Sequence, residues 1–179
     1  MAASFRRTAW AFPAAYVAHV AEEAPGFTAW ARRNASEHYT QTDFIRNNAL
    51  GFVSTIAATA AITHSERRAL GLAYYTLVLT QQAVFNTLFH VGTTFAYREY
   101  SPGVVTSVLT LALWRRLTRA ALAEDRLGRR DVIACTALAG FVHAAVVARQ
   151  VYFVGVPGDG ADGSSGRPGD WPVRAREPA

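Results

Sequence analysis

His19-Val-Ala-Glu22-Glu23 sets one histidine and two adjacent carboxylates at the end of an uncharged stretch running from Ala9 to Ala18. On a helix, residues three and four apart share a face, so His19 can meet Glu22 or Glu23. Carboxylates beside an imidazole are costly where water is scarce, unless they pair, share a proton or hold a cation. Two further histidines, His90 and His143, stand in apolar surroundings, and Asn86 precedes His90 by one helical turn. His19, Glu22, Glu23 and His90 are therefore the candidate metal ligands. Two histidines and one carboxylate with an open position suit zinc, as a Lewis acid that activates water, or non-haem iron. Either glutamate can be the ligand, which leaves the other as a general base. Glu23 and Tyr100 are the candidate catalytic residues, Tyr100 as a proton donor or hydrogen-bond partner. Asn86 and His143 are expected to line the site. If His19 and His90 share an ion, their side chains must lie within about 8 Å of each other, because metal–nitrogen bonds are about 2 Å long.

Positioning these groups takes helices that run through apolar surroundings. Five apolar blocks are visible, at about 8–21, 47–65, 69–97, 100–114 and 132–148, the last with apolar residues continuing past Arg149 to 156. A helix needs about 20 mostly apolar residues to cross a bilayer. The third block passes easily, the second and fifth narrowly, and the first and fourth need their flanks. The second and third blocks lack the charged face that a soluble amphipathic helix shows. The alternative, a soluble helical bundle, is the weaker expectation. The fold class expected is thus all-α, a polytopic membrane helical bundle of about five spans.

Composition agrees with this reading. Of the 179 residues 51% are hydrophobic and 17% charged, apolar-rich and charge-poor against a soluble domain. The mean hydropathy of +0.08 is held down by the polar segment from Gly155 onwards. Two regions are expected, a bundle domain at 1–156 and a disordered Gly/Pro-rich tail at 157–179. The net charge of +5 comes from arginine alone, without any lysine. These arginines lie between apolar blocks and form no stripe interleaved with aromatics, which argues against nucleic-acid binding. Cys135 is the only cysteine, so no intramolecular disulfide can form, and its apolar block suggests a small buried side chain.

The arginines also orient the bundle. With the N-terminus inside, the inner segments carry Arg6, Arg7, Arg67, Arg68, Arg115, Arg116, Arg119, Arg126, Arg129 and Arg130. The outer loops before the tail carry Arg32, Arg33, Arg46 and Arg98. This is the positive-inside bias, and it gives an N-in, C-out topology in the cell membrane. Spans one, three and five then run the same way, which brings His19, His90 and His143 to similar depth. Gln82, Asn86 and His90 form a polar stripe that should face the bundle interior. The Pro25-Gly26 turn and Trp30 predict a short interfacial helix on the outer surface. Tyr100-Ser101-Pro102-Gly103 reads as a tight turn with Ser101 as N-cap of span four.

Together these residues resemble the HXXEE-domain family of small bacterial membrane proteins. The pattern appears here as His19-Val-Ala-Glu22-Glu23, as His90 in Asn86-Thr87-Leu88-Phe89-His90, and as Tyr100-Ser101-Pro102-Gly103. Gly26-Phe27 and Trp30 follow the first motif as in that family. The resemblance covers roughly residues 10 to 150. It implies the membrane architecture and the two-histidine site, and it implies no reaction.

Three functions from different classes follow. The first is a metal-dependent membrane enzyme, a hydrolase or oxidase holding zinc or iron and acting on a lipid-like or apolar molecule. The second is a non-enzymatic membrane protein, a small transporter or partner subunit, in which the His/Glu cluster is a structural or protonatable lock. The third is metal-free acid–base isomerisation through Glu23 and His90. The partners expected are the lipid bilayer and an apolar small molecule, with oligomerisation allowed.

Overall fold

The computed structural model describes residues 4–152, and the expected tail lies outside them. The described residues are all-α, without a strand. Short α1 (Phe5–Ala9) leads through Trp10 into α2 (Ala11–Glu23), and α3 (Phe27–Asn34) follows a turn at Gly26. The long α4 (Gln41–His64) comes next. Helix α5 (Arg68–Ala73), a π-helical segment (Tyr74–Phe85) and α6 (Asn86–Tyr97) then form one unbroken rod. Helices α7 (Val104–Ala123) and α8 (Arg129–Tyr152) complete the bundle. Each of the five apolar blocks corresponds to one of the longer helical runs, and α3 is the short helix expected near Trp30. Among the described residues, one stretch is long and apolar enough to cross a membrane within a single helix, Arg129–Arg149 of α8.

Local chemistry sets the ends. Thr40 and Asp43 form a capping box, in which the Thr40 hydroxyl accepts from the Asp43 N–H and the Asp43 carboxylate accepts from the Thr40 N–H, both at 3.1 Å. Helix α6 stops where Arg98 turns into the left-handed region at φ 52°. Arg33 and Asn34 at the end of α3 bind Glu99 and hold its carboxyl below the usual carboxylate range, which ties α3 to the turn after α6. At the opposite end, Asp131 in the first turn of α8 accepts from the Gly128 N–H at 2.7 Å and pairs with Arg68.

The packing has two centres. A larger cluster gathers Phe5, Phe12, Ile62, Tyr75, Leu79 and Leu117, with Cys135 buried among them as expected. A smaller one joins Trp30, Ala31, Tyr39 and Phe44 beside Phe27 and Phe89. Between them the interior is rich in hydroxyls. Thr55, Thr59, Thr80, Ser101 and Ser107 are all 0% exposed. Several bond helix carbonyls or neighbouring helices, as when Thr87 donates to the Ser107 carbonyl at 2.8 Å and Trp114 donates to Thr80 at 3.0 Å. The surface is the reverse: Leu50, Val53, Phe95, Leu109, Ile133 and Phe141 are exposed.

Candidate metal centre

Helix α2 carries His19 and Glu23 one turn apart, so both point the same way. Helix α6 brings His90 against them, with the two imidazole centroids 5.0 Å apart, well inside the limit for shared ligation. Glu23 Oε1 lies 3.4 Å from His19 Nε2 and 3.3 Å from His90 Nε2. Ligand atoms at about 2.0–2.1 Å around a tetrahedral ion stand about 3.3–3.4 Å from one another. The two histidine–carboxylate spacings therefore match an ion's coordination edges. All three residues are buried, His90 completely, and together they could hold a metal ion.

The neighbours of His19 fix where its lone pair points. Thr106 Oγ1 lies 2.5 Å from Glu22 Oε2, to which it donates, so it can only accept from His19 Nδ1 at 3.0 Å. His19 thus carries a proton on Nδ1, and its Nε2 faces both Glu23 and Asn86. Asn86 is 2.8 Å from that Nε2, in position to donate its amide hydrogen. His90 Nδ1 is held by Ser101 Oγ at 2.9 Å, and His90 Nε2 is buried with no hydrogen-bond partner. Outer hydrogen bonds of this kind fix the tautomer and orientation of metal-binding histidines. With lone pairs on both Nε2 atoms the three would be acceptors facing one another, and a proton or a cation at their centre would remove that conflict.

Glu22 points elsewhere. It accepts the N–H groups of Val105 at 3.1 Å and Thr106 at 2.7 Å, at the exposed start of α7, and the Tyr100 hydroxyl. A carboxylate at a helix N-terminus is favourable there. Donation to Glu22 pushes the Tyr100 hydroxyl up to about 12. Tyr100 is half exposed and does not line the cavity beside the triad. Of the residues singled out from sequence, His19, Glu23, His90 and Asn86 come together. Glu22 and Tyr100 form a separate pair that braces α2 against α7.

Beside the triad lies a cavity of about 270 Å³, walled by Tyr16, Asn47, Gln81, Gln82, Asn86 and His143 among others. His143 reaches it from α8, with Nδ1 3.1 Å from the Gln81 amide and Nε2 buried without a partner. The π-helical turns, wider than α turns, let adjacent Gln81 and Gln82 both face this space. Gln82 also bonds Thr55 on α4 at 3.2 Å.

Three contributors escaped the sequence reading. Ser101 was expected to cap α7, yet Gly103 holds that position and Ser101 is buried against His90. Thr106 gives no signal, being one of four hydroxyl residues on α7. Gly103 had been assigned to a turn. It does adopt a positive φ of 102°, and a Cβ there would stand 2.7 Å from His19, 2.9 Å from His90 and 3.0 Å from Glu23. The turn glycine is what lets the backbone approach all three side chains.

No curated protein and no solved structure matches this chain. A family described as proteins of unknown function with the HXXEE motif matches residues 10–115, a region that contains His19, Glu22, Glu23, His90 and the Tyr100-Ser101-Pro102-Gly103 turn. The chain belongs to this HXXEE family.

Proposed function

We propose that the chain is a multi-pass membrane enzyme in which His19, Glu23 and His90 bind one divalent ion. With zinc the ion would activate water for hydrolysis; with iron it would activate dioxygen for oxidation. The substrate is an apolar or lipid-like molecule held in the adjoining cavity. The observation that carries this reading is the convergence of His19 Nε2, His90 Nε2 and Glu23 Oε1, buried and spaced for one ion. Glu23 is the carboxylate ligand. His143, whose Nε2 has no partner, is the remaining histidine on the cavity wall and the candidate for proton transfer.

The membrane reading is supported by the apolar outer face. Hydroxyls and the triad are buried beside the apolar core, while many large apolar groups face out, an arrangement suited to a lipid surround. The rod from Arg68 to Tyr97 carries no charged residue after Arg68, and its length exceeds what a bilayer needs. Five spans with the N-terminus inside would put the arginine-rich stretch from Arg115 on α7 to Arg130 on α8 on the cytoplasmic side.

A second reading, a metal-free lock between helices, rests on one contact. The Asn86 amide satisfies His19 Nε2 without an ion. Metal analysis of detergent-purified protein separates the two. After equilibration with zinc or ferrous iron, wild type should retain about one ion per chain, while His19→Ala and His90→Ala should each retain under about a tenth of that. Wild type that carries no metal after this treatment would overturn the metal-enzyme reading.

A further inference from the structure

A second hollow lies between α2 and α4, about 390 Å³ in volume and lined by Val17, Val20, Phe44, Ile45 and Phe52 with small alanines between them. Its two polar members, Tyr16 and Asn48, also line the cavity beside the triad. The apolar groove and the polar cavity therefore meet at one pair of side chains. The Tyr16 hydroxyl is 3.1 Å from Asn48 Oδ1, and the Tyr16 ring stacks on Phe52 with centroids 6.4 Å apart. Position 51 leaves room for this arrangement, because a Cβ there would come within 2.2 Å of the Tyr16 hydroxyl. Val17 and Ile45, at the groove's outer edge, belong to the exposed apolar surface.

The far side of the junction is chemically different. Asn47 Nδ2 and His143 Nε2 are buried on the cavity wall without hydrogen-bond partners. Polar atoms in this condition are costly until a ligand or water supplies the missing bond. An amide N–H asks for an acceptor oxygen, and the triad beyond it, with an ion bound, would offer a cation to the same group.

We propose, on the membrane and metal reading above, that the substrate is a single-chain amphiphile drawn from the bilayer. Its tail lies in the α2–α4 groove, and its head, bearing a carboxylate or carbonyl oxygen, enters the metal cavity past Tyr16 and Asn48. Small-molecule sites span about 300–1,000 Å³, and hollows of 390 and 270 Å³ suit one chain and a compact head, not a two-chain lipid. Tyr16 is the specificity-determining residue, since its ring and hydroxyl stand where tail and head divide.

The test uses the full chain in phosphatidylcholine vesicles with a palmitate carrying a mid-chain diazirine. After illumination, the label should concentrate on peptides holding Val17 to Ala24 and Phe44 to Phe52, and excess palmitate should suppress it. Filling the groove by Ala49→Trp should lower that labelling about tenfold with metal content unchanged. Val17→Trp fills it from the other helix and gives a second variant if the first fails to fold. Label spread over Phe95, Phe141 and the other outward faces in proportion to their exposure would overturn the proposal, as would groove labelling that palmitate does not compete. Parallel metal analysis keeps the two claims apart. Groove labelling on a protein that binds no metal upholds the chain site and removes the enzyme reading. Dispersed labelling on a metal-loaded protein does the opposite.

Discussion

Replacing Gly103 by alanine is expected to empty the metal site, lowering retained zinc or iron at least about tenfold. Two independent costs act at this one position. The backbone sits at φ 102°, where a residue with a Cβ is strained by about 1–3 kcal/mol. The new methyl would also meet His19 Cε1 at 2.7 Å, His90 Cε1 at 2.9 Å and Glu23 Cγ at 3.0 Å. None of these side chains is free to retreat. His19 is pinned by Thr106, His90 by Ser101, and all three are at most 6% exposed. The methyl therefore splays the ligands instead of being absorbed. Gly92, in α6 two residues beyond His90, is the matched control, with nothing within 4 Å of an added Cβ. Gly92→Ala should leave metal content unchanged and be neutral or stabilising by about 0.5–1 kcal/mol. Metal content and thermal unfolding of the two variants decide the matter. A Gly103→Ala protein that keeps wild-type metal would show that the ligand spacing does not depend on this approach.

Glu23→Gln should abolish metal retention while the neighbouring Glu22→Gln should not. Glutamine keeps the volume of Glu23 and its capacity to hydrogen-bond, but it removes the buried negative charge facing both Nε2 atoms. Disturbing an outer-shell partner already costs about 10–100-fold in affinity, so loss of a charged ligand should cost at least about 100-fold. Without its metal the variant should remain folded, because glutamine can donate where the carboxylate could only accept. Glu22 faces the α7 N-terminus and Tyr100 instead. Its neutralisation should cost about 0.3–1 kcal/mol of stability and leave the metal in place. Titrating both variants with zinc, with calorimetry as the readout, distinguishes them. Equal metal loss in both would return Glu22 to the ligand set.

Much of the site could be read in the sequence, for reasons that are physical. Titrating residues in apolar blocks are few, so His19, Glu23, His90 and Asn86 stood out, and helical spacing on α2 and α6 preserved their faces. The apolar blocks located the longer helices for the same reason. The division of labour between Glu22 and Glu23 was not legible. Adjacent residues on α2 point about 100° apart, and only the packing of α7 decides which one meets His90. Ser101 and Thr106 escaped because a hydroxyl looks alike whether it caps a helix or orients an imidazole. The π-helical turns at Tyr74–Phe85 leave no mark in an apolar sequence, yet they bring Gln81 as well as Gln82 to the cavity wall.

X-ray absorption at the zinc or iron edge of the purified, metal-loaded protein tests the ligand set most directly. The account predicts a first shell of nitrogen and oxygen alone at about 2.0–2.2 Å, with outer-shell scattering from two imidazoles. Replacement of His90 by alanine should remove one imidazole or the ion altogether. The protein's one thiol, Cys135, is buried in the larger core cluster away from the triad. Sulfur scattering near about 2.3 Å, or an ion without imidazole scattering, would contradict the account.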